Sequence, residues 1–196
     1  MKVFKFGGAS VKDAAGVQNL VLVLEKVGFK ETLIVVSAMG KTTNALEAII
    51  ETYFKNKKQT PKGILALKQF HLDVVKDLFR EESGEVETAI HQLFEELIAF
   101  FNTNKSPDYS FVYDQVVSYG ELLSTTIIHH FIQKKKIDSF WLDARNCIKT
   151  DDYYRSANLN WELTLNEINQ QIGKNSLIIT QGFIGSNSNN FTTTLG

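Results

Sequence analysis

Cysteine is almost absent from this chain: Cys147 is the only one among 196 residues. A lone thiol excludes a disulfide framework and a thiolate metal cluster, and is most simply a small buried hydrophobe. Only two prolines occur, Pro61 and Pro107, and there is no internal repeat and no disordered tract. Long apolar runs are missing too. The longest are of the kind Leu97-Ile98-Ala99-Phe100-Phe101, far short of the roughly 20 residues that span a bilayer. Neither sign of charge predominates: 21 basic and 22 acidic side chains leave a net charge of −1. That balance gives no reason to expect nucleic acid or a membrane surface as partner. From Met1 the chain enters Val3-Phe4-Lys5-Phe6 with no apolar leader region, so a cytoplasmic protein is expected. What is present, 43% hydrophobic and 22% charged residues, suits a soluble fold with a substantial core.

Five short segments read as strands: Val3–Phe6, Thr32–Ser37, Ile137–Leu142, Leu177–Thr180 running on into Gln181–Ile184, and Phe191–Thr194. Each is rich in β-branched or aromatic residues and bounded by turn-forming ones. Leu33-Ile34-Val35-Val36 and Leu177-Ile178-Ile179 are continuously apolar, which favours parallel strands covered on both faces. Between the first two strands, Val17, Leu20, Val21, Leu24 and Val27 recur at helical spacing. Ser10 with Asp13 is a candidate capping box for that helix, and Gly28 its stop. Strand, Gly-Gly loop, helix and strand together have the size of a βαβ crossover. Asn44 with Glu47 is a candidate cap for the next helix, which runs to about Phe54, and Pro61 breaks the chain. Residues 62–134 read as helical throughout, interrupted by a loop from Asn102 to Asp108. The last stripe is Val116, Tyr119, Leu123, Ile127 and Phe131. Lys134-Lys135-Lys136 suits the end of that helix. So long a separation between two strands is more than one crossover needs, and predicts a helical insertion on an α/β core. Ser186–Asn190 reads as a turn or hairpin loop.

Parallel strands bring their C-terminal ends to one edge, where open α/β sheets bind ligands. Falling there are Lys5, Gly7, Gly8 and Ser10; Ser37, Gly40, Thr42, Thr43 and Asn44; Asp143 and Arg145; and Thr180, Gln181 and Gly182. Small, glycine-rich and hydroxyl-bearing residues suit close approach of backbone N–H groups to phosphate. Gly7-Gly8 reads equally as a tight turn. Lys5, between Phe4 and Phe6, must reach solvent, an acid or a ligand, and the ligand is the preferred reading. Gly40-Lys41-Thr42 mimics the end of a Walker A loop, but Val35 stands where its first glycine belongs, so a true P-loop is rejected. Ser118 and Glu121 fit a capping box on spacing alone. Arg145 has acidic neighbours to pair with in Asp143 and Asp151. His71, His91, His129 and His130 lie on helices without metal-ligand spacing, and no metal site is expected from side chains.

In order, these pieces resemble a known family. Lys5-Phe6-Gly7-Gly8-Ala9-Ser10-Val11 resembles the K-F-G-G-T-S-V signature of aspartate kinases. Val36-Ser37-Ala38-Met39-Gly40 through Thr43-Asn44 looks like their second glycine/serine loop. Ser118-Tyr119-Gly120-Glu121-Leu122-Leu123-Ser124-Thr125 resembles their G-E-L-x-S-T helix start, and Trp141-Leu142-Asp143-Ala144-Arg145 their W-x-D-x-R segment. Ile179–Gly185 and Thr192–Gly196 resemble their last sheet-end block. Ala9 departs from the pattern, replacing the family's Thr and its hydroxyl.

The resemblance implies the amino-acid-kinase three-layer α/β/α sandwich with a mostly parallel sheet, here carrying a helical insertion at about 62–134. It implies transfer of the γ-phosphoryl group of ATP, with Mg2+, to the side-chain carboxylate of L-aspartate. Lys5 would neutralise charge on the transferred group, and Gly7, Gly8, Ser10 and Gly40 would line the phosphates. Thr43 and Glu121 would hold aspartate, Glu121 through the α-ammonium. In the family the T-T-L-G segment continues into R-G-G-S-D, the nucleotide-binding half and ACT domains. Residues 1–196 are therefore expected to be the N-terminal portion of the kinase domain, truncated and inactive alone. A sheet cut there should keep an unpaired edge and favour a homo-oligomer. A glutamate or acetylglutamate kinase, or a non-catalytic binding fragment, is the alternative.

Overall fold

Apolar, β-branched Thr32–Val36 and Leu177–Gln181 form the two central strands of a four-stranded parallel sheet. The computed structural model describes residues 1–173 and 177–195. Strand β1 (Lys2–Phe6) leads through a 3-10 turn into α1 (Ala14–Val27) and back to β2 (Thr32–Val36). Next come α2 (Thr42–Asn56), α3 (Thr60–Phe79), α4 (Gly84–Thr103), α5 (Tyr109–Val117) and α6 (Tyr119–Lys134). The chain then adds β3 (Phe140–Leu142), α7 (Ala144–Cys147), α8 (Trp161–Ile172), β4 (Leu177–Gln181) and a hairpin of β5 (Ile184–Ser186) and β6 (Thr192–Thr194). The sheet order is β1-β2-β4-β3, every pair parallel.

The two faces of the sheet are covered unequally. Phe4, Phe6, Ile34, Val36, Ile179 and Trp141 point into the main core, built with α1 to α6. On the other face Ile178 and Leu142 pack with Cys147, Ile148 and Ile168, but this cover does not reach β1 at the far edge. Val3 on β1 stays 62% exposed. The expected three-layer α/β/α architecture is present, with the second helical layer over β3 and β4.

Several local expectations are corrected. Ser10 lies in the 3-10 turn Gly8–Val11; Asp13 caps α1, accepting from Gly16 N–H at 2.9 Å. Gly28 does end α1 at φ 77, helped by Lys2, whose ammonium donates to the carbonyls of Val27 and Gly28. Asn44 lies inside α2, which begins at Thr42, and Pro61 sits in the first turn of α3. There its missing N–H costs nothing. Helices α3 to α6 occupy the stretch expected to be helical, and its last stripe is two helices meeting at Ser118. The third strand is shorter than expected, Phe140–Leu142. The fourth does not run through: Phe183, at φ 69, turns the chain between β4 and β5. The fifth belongs to a separate antiparallel pair, β5 with β6.

Candidate active site

All four parallel strands deliver their C-terminal ends to one edge, so the loops that follow them share that edge. The first two loops are tied directly. Ser37 N–H donates to Phe6 O at 3.1 Å, and Gly40 N–H to Gly8 O at 3.0 Å. A Cβ at residue 8 would lie 2.5 Å from Ala38 O, so only glycine permits this approach. Gly7, in contrast, faces open space. Gly40 turns the second loop at φ 53. Because its N–H is engaged by Gly8, its contribution is the turn rather than an outward donor. Ser10 is exposed, and Lys5 is exposed, its ammonium with no hydrogen-bond or ion-pair partner among the described residues. Thr43 is half-buried in the first turn of α2.

Glu121 is the unusual group. Its side chain does not cap α6; Ser118 makes no capping bond and its hydroxyl donates to Gln115 O at 3.0 Å. The carboxylate instead reaches the β2 loop, where Oε1 accepts from Ala38 N–H at 3.1 Å. Its second oxygen, Oε2, is buried and has no partner among the described residues. Burial pushes the Glu121 carboxyl up to about 7, opposed by the backbone N–H groups of Ala38 and of Glu121 itself. A carboxylate left half-satisfied inside a fold is costly.

The rest of the helix-start motif holds α6 against the sheet. Ser124 Oγ donates to Ser37 O at 2.8 Å. Thr125 Oγ1 donates to Glu121 O at 2.8 Å, and accepts from Trp141 Nε1 at 3.0 Å and Gln181 Nε2 at 2.8 Å. Gln181 Oε1 in turn accepts from Ala144 N–H at 2.7 Å. One buried hydroxyl thus ties α6 to β3 and β4. Gly120 completes the fit: a Cβ there would come 2.8 Å from Ala38 Cβ and 3.4 Å from Thr42 Cγ2.

Other candidates fall away from this centre. Arg145 is resolved in favour of Asp143, with Nη2 to Oδ2 at 2.6 Å and Nε to Oδ1 at 2.9 Å. His71 is buried in the helical layer beside Phe70 and Phe94, and burial lowers its imidazole to about 4. The Cys147 thiol is pushed up to about 11 by burial, which makes it unreactive. Among the described residues no three His, Cys, Asp or Glu side chains converge on a metal site.

Two polar residues of α5, one buried and one half-buried, escaped the sequence reading. Asp114 is fully buried, and its carboxylate accepts from Thr194 N–H, Thr194 Oγ1 and Arg155 N–H. Gln115 pairs with Thr192 as a strand would, accepting from its N–H and donating to its carbonyl. Their only signal was an acid and an amide inside the apolar run Phe111–Val117.

A sequence pattern described as the amino acid kinase family matches residues 1–196. The chain belongs to that family. Its curated relatives include lysine-sensitive aspartokinase 3 of Escherichia coli, 27% identical over 99% of this chain and 43% of the relative. An aspartokinase of Chlamydia pneumoniae is 29% identical over 99% of this chain and 41% of its own length. The chain thus spans well under half of these relatives. Among solved structures, E. coli aspartokinase III in complex with aspartate and ADP superimposes over 100% of this chain and 43% of its own, with a TM-score of 0.88 and 25% identity. No helix among the described residues is long and apolar enough to cross a membrane.

Proposed function

We propose that this amino-acid-kinase chain carries the aspartate side of an aspartate kinase site, in a protein that transfers the ATP γ-phosphoryl group to the side-chain carboxylate of L-aspartate. The observation that carries the reading is Glu121, with one oxygen fixed by Ala38 and the other buried without a partner among the described residues. An α-ammonium supplies the missing donors and the missing charge. Thr43, one residue into α2, offers a hydroxyl to the same ligand.

The acceptor carboxylate is already a nucleophile and needs no base, so catalysis is positioning and charge neutralisation. Lys5 supplies a cation at the end of β1, and Gly7 leaves room beside it. Gly8, Ser10 and Gly40 build the turns that shape this space. The residues fit a phosphate group better than a metal: Mg2+ finds no carboxylate cluster here and would arrive with the nucleotide. The relatives' names and the complex of aspartokinase III with aspartate and ADP support the same reading. A homo-oligomer and a cytoplasmic location belong to the proposal as well.

A coupled ADP-release assay, run on a protein that continues beyond residue 196, tests the activity. Turnover with L-aspartate and not with L-glutamate or N-acetylglutamate is expected; the reverse preference would assign another amino-acid kinase.

A further inference from the structure

Hydrogen bonds around the sheet edge form a closed circuit. It leaves Glu121 through Ala38 N–H and runs back along the loop to Val36. Val36 O accepts from Gly182 N–H at 3.1 Å, and the next residue, Phe183, accepts at its carbonyl from Leu195 N–H at 2.8 Å. Thr194, adjoining, is gripped by Asp114: N–H to Oδ2 at 2.8 Å and Oγ1 to Oδ1 at 2.7 Å. Asp114 returns along α5 to Glu121, across a helix junction held by Ser118 Oγ on Gln115 O and by Leu122 N–H on Ser118 O.

Asp114 is the one charged group in the circuit besides Glu121, and it is fully buried. Removing a carboxylate from water is offset here by hydrogen bonds from three donors, including Arg155 N–H at 3.0 Å. Opposite it in the circuit stands Phe183 at φ 69. An L residue keeps that conformation only where its surroundings enforce it.

We propose that Asp114 is a positioning residue of the aspartate site: by clamping β6 to α5 it closes this circuit and fixes Phe183 and Glu121 relative to each other. The proposal rests on the reading of Glu121 as the ammonium-binding group. Asp114 itself touches no substrate. Its removal loosens the hairpin and its bond to Phe183 while Glu121 keeps its own bond to Ala38.

The test combines calorimetric titration of L-aspartate with amide hydrogen exchange by NMR, on residues 1–196 and the variants Asp114→Asn and Thr194→Val. In Asp114→Asn, aspartate affinity is expected to fall about tenfold, and the Gly182 and Leu195 amides to exchange faster, with a smaller shift in the same direction for Thr194→Val. Val21→Ala, a destabilising change in the α1 core, should leave affinity and these two amides as they are. Wild-type affinity in Asp114→Asn, or an equal loss in Val21→Ala, would overturn the positioning role alone. If Asp114→Asn does not fold, Thr194→Val decides by the same two readouts. Failure of the wild-type chain to bind aspartate would overturn the Glu121 reading and the proposal with it.

Discussion

The amide of Ala38 donates to Oε1 of Glu121 at 3.1 Å, joining residues 83 positions apart in the chain. With the bond from Ser124 Oγ to Ser37 O, it joins the loop after β2 to the start of α6, and it leaves Oε2 without a partner among the described residues.

Glu121→Gln should stabilise the protein while abolishing aspartate binding. The folded carboxyl titrates at about 7 against an ordinary 4.5, so the folded state holds its proton more tightly than the unfolded state. Stability from this group is greatest at low pH and falls as pH rises from 4.5 through 7. Above pH 8 the neutral glutamine should therefore be more stable by roughly 1–3 kcal/mol, read by urea denaturation at pH 5 and pH 8. Equal stability at both pH values would show that the carboxylate carries no burial penalty.

Thr125→Val should cost about 2–4 kcal/mol, because it strands the half-buried donor of Trp141 and the buried donor of Gln181 together. Denaturant melts measure this directly. A loss within about 0.5 kcal/mol would mean that both donors find other partners.

Both residues show how far the sequence could be read. Four parallel strands, the Gly7-Gly8 loop and the helical insertion follow from apolar runs and periodicity, which are local. The capping box proposed for Ser118 and Glu121 was local reasoning too, and it failed because a long-range acceptor, the loop at Ala38, competes for the same carboxylate. Asp114 and Gln115 were missed for the same reason: their partners are Thr194 and Thr192, some 80 and 77 residues away. The break at Phe183 was hidden because nothing in Gln181–Ile184 forbids a continuous strand; a non-glycine residue at φ 69 is imposed by tertiary contacts. Ser124, Thr125, Trp141 and Gln181 were legible as motif letters, but their shared function as a framework appears only once their hydrogen bonds are seen.

His71→Leu should flatten the acid side of the stability profile. Burial holds the folded imidazole at about 4, below its ordinary 6.5, so the unfolded chain takes up the proton first. Stability is full above pH 6.5 and is lost as pH falls toward 4. The leucine variant should lose less stability between pH 6.5 and 4.5 than the wild type, by roughly 1–3 kcal/mol. His129, also lowered to about 4 by burial and the neighbouring His130, accounts for part of what remains. Parallel curves for wild type and variant would remove His71 from this account.

Lys5→Met, made in a protein that continues beyond residue 196, should lower kcat at least roughly a hundredfold, in line with losing one transition-state charge partner. The KM for aspartate should change little, since Glu121 and Thr43 are untouched. An unchanged kcat would remove Lys5 from the transfer step.

The most direct measurement of the central claim is calorimetric titration of residues 1–196 at pH 8 with L-aspartate, L-glutamate and N-acetyl-L-aspartate. The account predicts saturable binding of L-aspartate alone, because N-acetylation removes the ammonium that Glu121 requires, and loss of that binding in Glu121→Gln. Binding of N-acetyl-L-aspartate as tight as that of L-aspartate, or aspartate binding that survives Glu121→Gln, would contradict it.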